Sequence, residues 1–115
     1  AADFEAKLCK DYHLYRTSAS EVYVAPEGGD RAIPAEVVEL GYDQRFIIAK
    51  QSYLTHPPRN NPYREPDPVV FNYWILDVTV PQTYGPLTED NFRRKRKELG
   101  VPHDLTMKDV DSYRH

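Results

Sequence analysis

Cysteine, methionine and tryptophan occur once each in this chain, and glycine only five times. Because Cys9 is the only cysteine, no disulfide can form within the chain, which excludes the small disulfide-bonded scaffolds. No stretch approaches the roughly 20 apolar residues of a membrane-spanning helix, the longest being the interrupted one at residues 69–80. Gly28 and Gly29 form a turn pair without the spacing of a phosphate-binding loop, so no nucleotide motif is present.

The length and charge of the chain limit its organisation and its partners. At 115 residues it has room for a single domain, residues 1–115. Fifteen basic and 18 acidic residues give a net charge of −3, which removes the general electrostatic argument for binding nucleic acid or an anionic membrane. Nine tyrosines place much of the apolar surface in aromatic rings, and we expect order over most of the length.

The periodic patterns in the first two thirds of the chain predict β-strands. Residues 69–80 are rich in β-branched and aromatic side chains on both alternate faces, which is typical of a central strand. Residues 45–53 share this pattern and are predicted to lie beside them. Residues 38–42 predict a third strand joined by a hairpin, and residues 12–16 and 21–25 predict two outer strands. The expectation is an antiparallel meander of about five strands.

Helix signals follow at the C-terminus. Thr88 has the character of an N-cap and Gly100 that of a stop, which predicts a helix over Glu89–Leu99. A second, shorter helix is predicted after Thr106, and residues 3–10 suggest one short helical turn. Strands followed by helices predict an α+β domain in which one longer and one short C-terminal helix cover the sheet.

The most unusual segment is residues 56–68, which contain five prolines in thirteen residues and connect the two best strands. Tyrosine and arginine cluster on this loop and on a predicted turn near residues 81–86. These residue types dominate binding surfaces, because they combine large contact area with planar polar tips. The candidate partner-binding residues are Tyr53, Arg59, Tyr63, Arg64 and Tyr84. The predicted function is non-enzymatic binding of a protein or small ligand through this loop.

Catalytic and metal sites find little support in the sequence. The four histidines are widely separated and a single cysteine cannot build a zinc site, so we expect no metal and no cofactor. No Gly-x-Ser-x-Gly elbow is present. Asp77 interrupts a predicted central strand, where an Arg or Tyr partner would stabilise it. The alternative that stays open is a small hydrolase that uses Asp77 with a histidine.

Residues 93–97 read Arg-Arg-Lys-Arg-Lys, and without those five charges the rest of the chain carries −8. An acidic body with one basic patch motivates a second alternative, an inhibitor or immunity protein of a bacterial toxin. Contact with nucleic acid through the patch is a further rival. No aromatic residue interrupts the run to stack on bases, so we favour a solvated surface of the helix at residues 88–99 and no nucleic-acid partner.

Four stretches of the chain resemble a family of small bacterial secreted or lipoprotein-type domains of unknown function. They are residues 12–19, residues 21–24, residues 45–51 and residues 72–77, and the resemblance covers roughly residues 12–100. It implies export and a compact sheet with a C-terminal helix. It assigns no catalytic residue to this chain. The lipid-bearing cysteine of a mature lipoprotein stands at its first position, whereas Cys9 lies further in.

The first residues, Ala1-Ala2-Asp3, lack an initiator methionine, as they would after trimming or removal of a leader. The resemblance implies a periplasmic or extracellular protein, and a cytoplasmic one is expected if this N-terminus is native. A lipid anchor is compatible with the resemblance if trimming removed the anchored residue. Residues 1–11 are taken as an N-terminal segment of the domain.

Overall fold

The computed structural model describes residues 3–54 and 69–114, and most regular structure in these residues is β-strand. Eight strands form two antiparallel sheets there, one of three strands and one of five. The described residues add one α-helix and one short 3₁₀ turn. The α+β class predicted from the sequence is therefore wrong, because strands predominate over helix in the described residues. The expected single meander is also divided between two sheets.

The small sheet consists of β1 (Phe4–Lys7), β2 (Tyr12–Arg16) and β3 (Val22–Pro26), in that order. β2 and β3 form a hairpin at the two outer strands predicted from the sequence. β1 lies where a helical turn was predicted, and that prediction is wrong. Pairing with β2 along its whole length satisfies the backbone groups of β1 that point toward β2 and turns Ala6 into the core.

The large sheet has the order β7-β6-β5-β4-β8. Its strands are β4 (Val37–Tyr42), β5 (Phe46–Leu54), β6 (Val69–Asp77), β7 (Gln82–Leu87) and β8 (Lys108–Asp109). β5 and β6 are interior strands that pair along their full lengths, as their two apolar faces predicted. β7 replaces the turn predicted there, because its backbone pairs with β6.

The helix α1 (Glu89–Leu99) has the predicted bounds. The Thr88 side chain accepts a hydrogen bond from the Asn91 amide at 3.1 Å, and Gly100 ends the helix at φ 79°. The second helix predicted after Thr106 is wrong. That segment forms β8 against β4 and then the 3₁₀ turn Val110–Tyr113. No helix in the described residues is long and apolar enough to span a membrane.

Side chains on the two faces of the large sheet enter two different cores. On one face, Ile47 and Leu76 pack with Leu14 of the small sheet, and all three are almost fully buried. On the other face, Ile48 packs beneath α1 in a core that includes these residues: Phe46, Tyr73, Ile75 and Phe92. The small sheet, the large sheet and α1 thus form three layers. Each fully buried aliphatic side chain contributes about 2 kcal/mol.

Candidate functional site

Three of the five candidate binding residues, Arg59, Tyr63 and Arg64, lie outside the described residues. The structure places Tyr53 in β5 opposite Val70 and Tyr84 in β7 opposite Ile75. These two tyrosines were predicted to contribute to one surface. Whether they can share a surface depends on which face of the large sheet each one occupies.

Tyr53 and Tyr84 lie on opposite faces of the large sheet. Tyr84 packs against the core beneath α1, and the Lys95 ammonium lies 4.9 Å from the centre of its ring. Tyr53 follows Gln51 by two residues along β5, and Gln51 binds Trp74 on the face toward the small sheet. The structure therefore does not bring Tyr53 and Tyr84 together, and Tyr84 has a packing contact of its own.

The ends of β5 and β6 next to residues 55–68 extend beyond the neighbouring strands. We call Ser52, Tyr53, Val70 and Phe71 the ribbon end. In the described register β7 meets β6 no further than Tyr73. β4 pairs with β5 at Gln51, and the Glu36 backbone continues to Ser52 through hydrogen bonds of 2.8 and 3.4 Å. Past these points the two strands pair with each other alone among the described residues.

The ribbon end exposes apolar side chains on both of its faces. Tyr53 is 52% exposed and its cross-strand partner Val70 is 39% exposed, on the face of the small sheet. Phe71 is 45% exposed on the opposite face, where the Lys50 ammonium lies 4.3 Å from its ring centre. Only a few large apolar side chains are this exposed in the described residues, and three of them are neighbours here.

Asp77 was the candidate acid for a hydrolase, and the structure surrounds it with donors. It is 3% exposed, and its Oδ2 accepts from Arg45 Nε at 3.2 Å and Nη2 at 3.0 Å. Its Oδ1 accepts from the backbone N–H of Thr79 at 3.0 Å and from the Thr79 hydroxyl at 2.6 Å. Burial raises the pKa of Asp77, but the hydrogen bonds from Arg45 and Thr79 outweigh burial and hold it below its usual value. This is the Arg partner predicted for a structural Asp77.

Three of the five cations in the basic run on α1 bind groups of the described chain, two of them carboxylates. Arg93 pairs with Glu89 at 3.2 Å, and Lys95 pairs with Glu98 at 3.3 Å. Arg96 donates from Nη2 to two backbone carbonyls beyond the helix. In the described part of the chain, Arg94 is an exposed cation of this run without such a contact. α1 is thus a solvent-exposed helix, and several of its cations bind nearby carboxylates or backbone carbonyls.

One feature that sequence reasoning missed is a ladder of stacked side chains on the outer face of the small sheet. His13 stacks on Tyr15 with ring centres 5.6 Å apart, and Tyr15 stacks on Tyr23 at 5.4 Å. The Arg31 guanidinium covers Tyr23 at 4.0 Å and binds Glu21 at 2.8 Å. A cross-strand register that pairs Tyr15 with Tyr23 was the signal that would have predicted it.

His13 is the one polar group of this ladder that is buried. Its Nδ1 lies 2.8 Å from the Glu5 carboxylate without the alignment of a hydrogen bond, and its Nε2 lies 4.0 Å from Glu27. Within the described residues, no three potential metal ligands are grouped closely enough to hold an ion. The side chains of the ladder contact one another through their rings, and acids flank the His13 imidazole on both sides.

Comparison with known proteins gives a family for this fold. A family model described as a protein of unknown function (DUF3997) matches residues 9–111, which is most of the chain. The chain belongs to the DUF3997 family. No curated protein matches the chain, and no solved structure matches it.

The DUF3997 match covers seven of the eight strands described above. It begins at residue 9, after β1, and extends past β8 to residue 111. It therefore contains both sides of the large sheet, the ribbon end and α1. Since the family is one of unknown function, the geometry of the chain itself must carry any functional argument.

Proposed function

We propose that this protein is a non-enzymatic binding domain that recognises another protein through the ribbon end and the adjoining residues 55–68. The observation that carries the proposal is the exposure of three large apolar side chains at the ribbon end, Tyr53 and Val70 on one face and Phe71 on the other. A folded chain that leaves three large apolar side chains in water loses the free energy of burying them. A partner that covers them would recover it.

The shape of the ribbon end favours a protein partner. Its two strands have free outer edges past Tyr73 and Ser52 within the described residues, so backbone donors and acceptors lie beside the exposed side chains. An extended partner segment can pair with such an edge while its side chains contact Val70 or Phe71. This combination gives main-chain affinity and side-chain specificity at one place.

The sequence of residues 56–68 supports the same surface. Arg59, Tyr63 and Arg64 supply the residue types enriched at binding hot spots, and they adjoin the ribbon end in the chain. Five prolines restrict the backbone angles of the unbound segment, which lowers the entropy lost when a partner fixes it. Tyr84 is left out of the proposed surface because it packs against the core beneath α1, with Lys95 over its ring.

Export remains part of this proposal, and its support is the resemblance to secreted and lipoprotein-type domains. The test is to fractionate cells that express the full-length gene and to probe the periplasm, medium and cytoplasm for the protein. Exclusive recovery from the cytoplasm would contradict export without affecting the binding surface.

The binding proposal is tested with matched threonine substitutions, which keep a β-branched shape. Val70→Thr changes the ribbon end, and Val80→Thr changes a still more exposed valine, 63% against 39%, at the turn after β6. A photo-crosslinking residue at position 53 first identifies the partner, and its affinity for the purified variants is then measured by calorimetry. We expect Val70→Thr to weaken binding about fivefold or more, and Val80→Thr to bind like the wild type.

Two results would overturn the proposal. One is equal affinity of the ribbon-end variant and the wild type for a crosslinked partner. The other is crosslinking at position 53 no greater than at position 80. Thermal unfolding of each variant accompanies both measurements, since a large loss of stability would show that the ribbon end is needed for folding.

A further inference from the structure

A recess of about 420 Å³ lies at the end of β4, where β8 and the 3₁₀ turn meet it. Its volume is within the range of small-molecule pockets, about 300 to 1,000 Å³. The side chains of Tyr42, Asp104, Lys108 and Tyr113 line it. It lies on the β8 side of the large sheet, away from the ribbon end, and has no part in the function proposed above.

The aromatic wall of the recess is fixed in place. Tyr42 and Tyr113 lie with ring centres 6.1 Å apart, and the Tyr113 hydroxyl donates to the carbonyl of Leu40. Tyr42 is 36% exposed, so one of the two rings remains open to solvent. Burial raises the pKa of Tyr113, and the neighbouring Tyr42 adds to this effect. The two rings form one aromatic surface, which the hydrogen bond from Tyr113 to Leu40 holds at its base.

The opposite wall is held from two sides. Gly41 approaches the chain so closely that a Cβ there would lie 2.1 Å from the carbonyl oxygen of Thr106. Arg96 of α1 donates to the carbonyl of Leu105 at 2.7 Å. The turn that carries Asp104 is thus anchored to both β4 and α1. A recess with fixed walls loses little entropy when it takes up a ligand.

Asp104 and Lys108 bring opposite charges to this recess without neutralising each other. Both are exposed, and no ion pair of 4.0 Å or less joins either of them to another described residue. Lys95 and Glu98, which lie three residues apart on α1, do form an ion pair, at 3.3 Å. Two unpaired charges of opposite sign beside two aromatic rings match a ligand that carries both charges and an aromatic body.

We propose that this recess binds a free aromatic α-amino acid. Asp104 would accept hydrogen bonds from the ligand ammonium, Lys108 would donate to its carboxylate, and its ring would pack against Tyr42 and Tyr113. The binding is reversible and involves no covalent step. An exposed recess and a ligand of this size lead us to expect a Kd of the order of 1 mM.

The test uses three probes of nearly equal size: L-phenylalanine, phenethylamine, which lacks the carboxylate, and 3-phenylpropionate, which lacks the ammonium. Each is titrated into ¹⁵N-labelled full-length protein, and amide shifts are followed by NMR. We expect saturable shifts at the amides of Gly41, Tyr42 and Lys108 with L-phenylalanine. Each truncated probe should bind about threefold more weakly, the value of one exposed ion pair.

Charge variants assign the two contacts. Asp104→Asn should weaken L-phenylalanine and phenethylamine about threefold and leave 3-phenylpropionate unchanged, and Lys108→Gln should show the converse. The exposed residues Asp30 and Lys97, changed to Asn and Gln, are the matched controls. Equal binding of all three probes would overturn the charge assignment, and absence of saturable shifts at the recess amides would overturn the site. Because the substituted side chains are exposed, all variants should fold, which thermal unfolding checks.

Discussion

The Arg45 guanidinium binds a single oxygen of Asp77 with two of its nitrogens, at 3.0 and 3.2 Å, where β5 begins and β6 ends. The pair joins the start of β5 to the end of β6. These two ends are adjacent because Phe46 is the cross-strand partner of Asp77. Arg45 is about half exposed and Asp77 is buried, so the carboxylate depends on this partner and on Thr79 for its solvation.

We expect Asp77→Asn to lower the free energy of unfolding by about 2 kcal/mol at neutral pH, the range for hydrogen bonds to a charged group. The pKa of Asp77 is lowered by folding, so its contribution is full above the unfolded value of about 3.9 and is lost as the pH falls through the folded value. The difference between wild type and variant should therefore shrink below about pH 4. Urea unfolding across this range checks it, with exposed Asp30→Asn as control. A difference that is independent of pH would contradict the ionised pair.

Gly41 and Gly100 require glycine for different reasons, and substitution separates them. Gly41→Ala would place a Cβ against the Thr106 carbonyl, and we expect a loss of about 2 kcal/mol or more. Gly100→Ala meets no atom within 4 Å but must adopt φ 79°, which costs about 1 kcal/mol. Denaturant unfolding measures both. A loss for Gly41→Ala no larger than that for Gly100→Ala would contradict the tight contact between β4 and Thr106.

Arg96 and Arg94 are matched cations on α1 with different surroundings. Arg96→Ala removes hydrogen bonds to the Pro102 and Leu105 carbonyls, and we expect a loss of about 1 kcal/mol. Arg94→Ala changes an exposed side chain and should stay within about 0.5 kcal/mol of the wild type. Hydrogen exchange at the amides of residues 103–105 provides a second reading, since it should quicken in the Arg96 variant alone. Unchanged exchange there would count against the anchoring role.

Gln51 is buried between two strands and satisfies two polar groups at once. Its amide donates to the Ala35 carbonyl at 2.6 Å and accepts from the Trp74 indole at 2.7 Å. Gln51→Leu leaves both partners without this bond, and we expect a loss of about 2 to 3 kcal/mol. Trp74 is the only tryptophan, so its fluorescence reports the change directly. An unshifted emission spectrum with unchanged stability would mean that water replaces the amide.

The sequence was informative where local chemistry decides the structure. Thr88 and Gly100 placed both ends of α1, because capping depends on residues within one turn of the helix. β5 and β6 were predicted as interior strands because both of their faces are apolar, and each face is indeed covered, one by the small sheet and one by α1.

Long-range packing decides the parts that were wrong. Alternation in residues 12–16 indicates one buried face but not what covers it, so a second sheet could not be distinguished from more strands of the first. The helix-capping pattern at Thr106 does not lead to a helix, because Lys108 pairs with Leu40 of β4 instead.

The candidate surface was only partly predictable for a related reason. An unbroken apolar pattern from residue 69 predicted burial throughout, and nothing local shows that Val70 and Phe71 lie beyond the covering layers. Tyr84 was assigned to the binding surface because Pro81 and Pro86 suggested a turn. Pairing with β6 instead directs Tyr84 toward α1.

β8 is only two residues long, yet it occupies the outer side of β4 at Glu39 and Leu40. An unprotected edge of this kind can be extended by a strand from another molecule, which is a common route to aggregation. The last residues of the described chain therefore cover this edge of the large sheet. Proteolytic loss of the segment after residue 107 would expose the backbone donors and acceptors on this side of β4, where a strand of a second copy could pair.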